Sequence, residues 1–135
     1  MRRLLATLAL LAMFTGPLSA QEVRLHSALY VETLDRRAGE TVRQIERIET
    51  VRAGMRLVTI VHWQNEGVRG FDLTVPVPPR VAIAGANDAH YSHDGGRSWT
   101  AAPGNRTAIT HLRWRIAERD ARRGTGRVSY SAIVR

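Results

Sequence analysis

Apolar and polar residues alternate with a period of two along most of this chain. Between Met55 and Trp63, the residues Met55, Leu57, Thr59, Val61 and Trp63 fall on one side of an extended backbone, and Arg56, Val58, Ile60 and His62 on the other. That pattern predicts a strand with one face fully buried. Gln64-Asn65-Glu66-Gly67 is a turn signal, and alternation resumes at Phe71, Leu73, Val75 and Val77 against Asp72, Thr74 and Pro76, so the two runs read as an antiparallel hairpin. Pro76, Pro78 and Pro79 donate nothing to a ladder, so the second run must end, follow an edge or leave its sheet there. Val81, Ala82 and Ile83 restart extended chain beyond them.

Further on, Leu112, Trp114 and Ile116 alternate with His111, Arg113 and Arg115, which predicts a half-buried strand whose outer face is wet and basic. A loop from Asp120 to Gly126 leads to a last alternation of Val128, Tyr130, Ala132 and Val134 against Arg127, Ser129, Ser131 and Ile133. At the front, Val23, Leu25, Ser27, Leu29 and Val31 follow the same rule until Arg36-Arg37-Ala38-Gly39 interrupts them. Val42, Ile45, Ile48 and Val51 recur every three residues, a spacing that suits a helix nearly as well as a bent strand; strand is the reading adopted here. Short strands, glycine-containing turns and no long helix predict a single all-β domain, an immunoglobulin-like β-sandwich of about seven to nine short strands.

The first residues depart from this pattern. Met1-Arg2-Arg3 is a positive start, Leu4 to Phe14 is apolar and uncharged, and Gly16 and Pro17 break a helix before small residues. That order is expected of a secretory signal peptide over residues 1–20, cleaved after Ala20, leaving 21–135 as the sandwich domain. The apolar run is too short to span a bilayer, which needs roughly 20 such residues, and nothing later offers a transmembrane segment. The expected location is therefore periplasmic or secreted. The chain has no cysteine, which excludes disulfide scaffolds, zinc-thiolate sites and cysteine nucleophiles. Its formal charge is +8 and every basic residue is arginine, but the arginines are scattered, so nucleic acid is not an expected partner and anionic envelope polymers are the more credible one.

The run Leu57-Val58-Thr59-Ile60-Val61-His62-Trp63-Gln64-Asn65-Glu66-Gly67, followed by Phe71-Asp72-Leu73-Thr74-Val75-Pro76-Val77-Pro78, resembles the conserved repeat domain called domain of unknown function 11. In that family a strand ending in an Asn-x-Gly turn leads to a second strand closing on a Pro-x-Pro step. Ile109 to Ile116 and Gly126 to Tyr130 resemble the family's closing pair of strands, so the likeness covers roughly residues 42–135. Ala53-Gly54-Met55 stands where the family has a Pro-Gly-Asp turn, and Ala121-Arg122-Arg123-Gly124 replaces its Pro-Gly loop. The resemblance implies an immunoglobulin-like module of bacterial envelope or surface proteins, with no catalytic residues to carry over.

Ser92-His93-Asp94-Gly95-Gly96-Arg97-Ser98-Trp99 matches the Asp-box pattern known from sialidases and related propellers. Its physics is that of a turn: the Asp94 carboxylate accepts backbone N–H groups, Gly95 and Gly96 take positive φ, and Trp99 packs beneath. A sialidase needs several such boxes around a propeller, with an arginine cluster and a tyrosine nucleophile, so the single copy reads as a structural turn of Ser92, Asp94, Gly95, Gly96 and Trp99.

Other chemistry finds little purchase. His90, His93, Asp94 and His111 invite a metal, but the His90–His93 spacing puts the two rings on opposite faces of a regular strand, and exposed loop histidines are the plainer reading. There is no Gly-x-Ser-x-Gly elbow and no phosphate-binding glycine loop, and the carboxylates Glu46, Glu49, Glu118 and Asp120 read as surface residues. No catalytic residue, metal or cofactor is called for. Trp63 and Trp114 are in phase with core positions, leaving Trp99 as the tryptophan to consider as a ligand contact.

The expected function is that of a non-enzymatic exported module presenting a rigid sandwich surface to an envelope protein. Its possible mechanism is strand addition at the terminal strand. The alternative is a binding protein for an anionic glycan or envelope polymer, using Arg113, Arg115 and Arg127 with Trp99, and with Arg122 and Arg123 nearby. If Arg113, Arg115 and Arg127 lie on adjacent strands, they form a basic stripe.

Overall fold

The computed structural model describes residues 23–37, 39–47 and 50–135, the stretches 34–37 and 40–47 by their backbone alone. The expected leader, with Ala38, Ile48 and Glu49, lies outside the described residues. Eight strands follow in chain order: β1 (Val23–Arg37), β2 (Glu40–Arg47), β3 (Arg56–Asn65), β4 (Phe71–Pro76), β5 (Val81–Gly85), β6 (His90–Ser92), β7 (His111–Ile116) and β8 (Thr125–Val134). A single helical turn, α1 (Glu118–Ala121), stands between β7 and β8. The strands form two antiparallel sheets, one of five in the order β2-β1-β3-β8-β5 and one of three in the order β4-β7-β6. The ambiguous segment after Arg37 is strand over Glu40–Arg47, because a turn at Gly39, with φ +84°, folds it back along β1 in the register Arg37 to Glu40.

The two sheets share one core, which makes the fold an all-β sandwich. Val61, Trp63, Ile83, Tyr130 and Ala132 come from the larger sheet, and Leu73, Val75, Leu112, Trp114 and Ile116 from the smaller. Ile83 and Leu112 are fully buried. Trp63 meets Phe71 edge-on across the core, with ring centroids 5.3 Å apart and planes at 81°. Trp114 packs against Tyr130 and donates its indole N–H to the Asn87 carbonyl at 2.9 Å. No helix among the described residues is long and apolar enough to cross a membrane.

The expected hairpin of β3 with β4 is not formed. β3 pairs with β1 and β8, whereas β4 pairs with β7 in the other sheet. Alternation tells which face of each strand is buried, and here the two buried faces meet across the core instead of lying side by side. Asn65 steers the crossing. It is 5% exposed; its side-chain amide donates to the carbonyls of Gly67 (3.0 Å) and Ala121 (3.4 Å), while its Oδ1 accepts the Gly67 N–H at 3.1 Å. β4 is an edge strand and ends at Pro76, where proline's missing N–H costs no ladder bond.

The last strand, unlike β4, is not outermost in its sheet. Residues 131–133 of β8 lie between β3 and β5, so the terminal stretch of the chain offers no edge for strand addition; the outermost strands are β2 and β5 in one sheet and β4 and β6 in the other. Both backbone edges of that stretch are occupied, and nothing remains there for a partner to extend.

Candidate functional site

The smaller sheet turns Leu112, Trp114 and Ile116 of β7 inward and leaves His111, Arg113 and Arg115 on its outer side. Cross-strand pairing sets His90 of β6 and Thr74 of β4 on either side of Arg113, and Asp72 of β4 beside Arg115. Arg115 is mostly exposed and reaches Asp72 at 3.7 Å, a contact of little energetic weight in water. Arg113 is half-buried, because its guanidinium lies 4.4 Å from the centroid of the Trp99 ring. A stack of that kind contributes about 0.5–1 kcal/mol at an exposed site and fixes a side chain that would otherwise sweep solvent.

Trp99 is delivered to Arg113 by the turn that follows β6. Tyr91 and Thr100 exchange backbone hydrogen bonds of 2.9 Å each, and between them the chain wraps around two oxygen centres. The buried Ser92 hydroxyl donates to Asp94 Oδ1 and accepts the Gly96 N–H, both at 2.8 Å. Asp94 Oδ1 also accepts the N–H groups of Arg97 (3.0 Å) and Ser98 (2.9 Å), while Oδ2 takes the Ser98 hydroxyl at 2.6 Å. These donors, the Ser98 hydroxyl foremost, hold the Asp94 carboxyl well below the usual carboxylate range. Gly95 and Gly96 adopt φ of +80° and +90°, a region that residues with a Cβ rarely enter, and Gly96 lies against the edge of the Trp99 ring. Asp94 is thereby engaged in closing the turn.

Arg127 does not join Arg113 and Arg115. It sits on β8 in the larger sheet, in line with His62 of β3 and His26 of β1, so the three arginines form no common stripe. Arg127 and Arg115 do line one cleft of about 310 Å³, together with Asn87 and Asp88. Arg122 and Arg123 are turned back onto α1: Arg122 binds Glu118 at 2.7 Å and Arg123 lies 3.9 Å from Asp120. Among the described residues no three His, Asp or Glu side chains converge as metal ligands; His93 instead binds the Pro103 carbonyl through Nε2 at 2.9 Å.

Two structural residues escaped the sequence reading. One is Asn65, whose Asn-x-Gly setting signalled a turn but not a bridge to α1. The other is Arg106, whose guanidinium donates to the carbonyls of Ile83 (3.0 Å) and Ala84 (3.2 Å), pinning the long β6–β7 connection to β5. An arginine in a polar loop carries no local signal for such a contact.

No family model matches the chain, and neither a curated protein nor a solved structure shows a significant match to it.

Proposed function

We propose that this chain is an exported, non-enzymatic, immunoglobulin-like module of the bacterial cell envelope that acts by presenting a rigid sandwich surface to another envelope component. The charged start, apolar run and small residues of positions 1–20 support export, and the order of motifs shared with domain of unknown function 11 supports an envelope setting. The observation that carries the reading is the outer face of the smaller sheet. Thr74, His90, Arg113 and Arg115 stand on paired strands there, and Arg113 is fixed over Trp99 by a turn closed around Asp94. A polar surface whose side chains are already ordered loses less entropy when it binds.

A second reading, that the partner is an anionic glycan, is favoured by the aromatic ring and the two guanidinium groups on that face. Guanidinium groups recognise carboxylates and sulfates in paired hydrogen bonds. Retention of the purified protein on immobilised heparin, against neutral dextran, tests it. Retention released by salt and reduced in the Arg113→Ser/Arg115→Ser variant supports the glycan partner. Passage through heparin, with salt-resistant capture of an envelope protein that the double substitution abolishes, keeps the face and replaces the glycan by a protein. Indifference of all binding to the double substitution contradicts the face itself.

A further inference from the structure

An apolar cleft of about 440 Å³ lies on the larger sheet, where the connection between β4 and β5 folds beside it. Its floor is the inner face of β3 and β8, with Leu57, Thr59, Tyr130 and Ala132, and its wall is the β4–β5 connection at Pro78 and Pro79 with Val81 of β5. Leu57, Val81, Tyr130 and Ala132 are buried, and the last three belong to the core. Tyr130 and Thr59 share a hydrogen bond there, leaving hydroxyl groups at the floor, and burial pushes the Tyr130 phenol up, keeping it neutral. No Asp or Glu side chain lines the cleft among the described residues; the charged side chains of its lining residues are those of Arg80 and Arg135.

Arg80 is held in an unusual way. Its φ is +63°, a conformation that glycine or asparagine adopts far more readily, and the Arg135 N–H fixes its carbonyl at 2.8 Å. Among the described residues no hydrogen bond or ion pair engages its guanidinium. A strained position occupied by a long cation at the mouth of an apolar cleft is a pointer to binding, since the fold alone would be better served by glycine.

We infer that this cleft is a binding site for a single-chain amphiphile with a carboxylate head, a free fatty acid, whose chain lies between the larger sheet and the β4–β5 connection and whose head meets Arg80. The volume is at the small end of the range for ligand pockets, about 300–1,000 Å³, which suits one acyl chain rather than a two-chain lipid. A planar guanidinium matches a carboxylate with two parallel hydrogen bonds. The site stands apart from the outer face of the smaller sheet and does not depend on its role.

Titration calorimetry of the purified protein with decanoate, octanoate and decanol, below their aggregation limits, tests the inference. Decanoate is expected to bind, with affinity falling about fourfold per methylene removed and therefore roughly fifteenfold for octanoate. Decanol is expected to bind at least about tenfold more weakly than decanoate. Arg80→Asn keeps a residue that tolerates positive φ, so its melting temperature should not fall, yet its decanoate affinity should drop to that of decanol. Ala53→Trp, placed at an exposed turn residue lining the cleft, should block both ligands. No binding of decanoate, equal affinity for decanoate and decanol, or decanoate binding that survives either substitution overturns the proposal.

Discussion

Gly126→Ala is expected to destabilise the fold, although alanine is ordinarily the better strand residue. Gly126 on β8 is the direct cross-strand partner of Trp63 on β3, and the Trp63 indole lies over it. A Cβ at position 126 would fall 2.8 Å from Trp63 Nε1 and closer still to Cε2 and Cζ2, where ordinary contact begins at 3.4 Å. The ring has little room to retreat: it is 3% exposed and abuts Phe71 of the other sheet. Overpacking of this kind costs about 1–3 kcal/mol, and the rigid ring between two sheets argues for the upper end. Against it stands a gain of roughly 0.5–1 kcal/mol from replacing a strand glycine. The balance is a loss of about 2 kcal/mol, a fall in melting temperature on the order of 10 °C. Urea and thermal unfolding followed by circular dichroism read the loss directly. Trp63→Phe in the same molecule should recover more than about 1 kcal/mol through coupling of the two sites. A stabilised Gly126→Ala protein, or strict additivity with Trp63→Phe, would refute the packing argument.

Three further outcomes follow from the same geometry. Asn65→Ala removes three hydrogen bonds at the sheet crossing and should cost about 2–3 kcal/mol in chemical denaturation, whereas a residue needed only for an exposed turn would cost a few tenths. Because the Asp94 carboxyl lies below its ordinary value of 3.8, the stability it contributes is full above that value and is lost as pH falls from there through its own lower one. Asp94→Asn should therefore flatten the acid limb of a stability-against-pH curve, and an unchanged limb would show that the turn does not depend on the charge. Removing residues 129–135 takes out most of the central strand β8, and the far-ultraviolet spectrum should become that of an unfolded chain; a folded product would contradict the sheet order.

Most strands were legible because each buries one face: Leu57, Val61 and Trp63, then Leu112, Trp114 and Ile116, then Tyr130 and Ala132, all turn inward at alternate positions. Their partners were not. Alternation reports burial and is silent on which neighbour shares the hydrogen bonds, so β3 and β4 read as a hairpin although they sit in opposite sheets. β8 pairs with β3 across most of the domain, a contact between distant segments that no local pattern encodes. The same limit applies to the candidate site. The outward display of Arg113 and Arg115 followed from the phase of β7, whereas the stack of Arg113 on Trp99 depends on β6 lying beside β7, and the separation of Arg127 depends on β8 joining the other sheet.

The outer face of the smaller sheet carries the proposed function, and amide and indole chemical shifts read that face residue by residue. Titration of the isotope-labelled protein with a short sulfated oligosaccharide is predicted to shift Thr74, His90, Trp99, Arg113 and Arg115 together, and to lose those shifts at high salt. Shifts gathered instead around His26, His62 and Arg127 on the larger sheet would contradict that face, and no shifts at all would contradict the glycan as its partner.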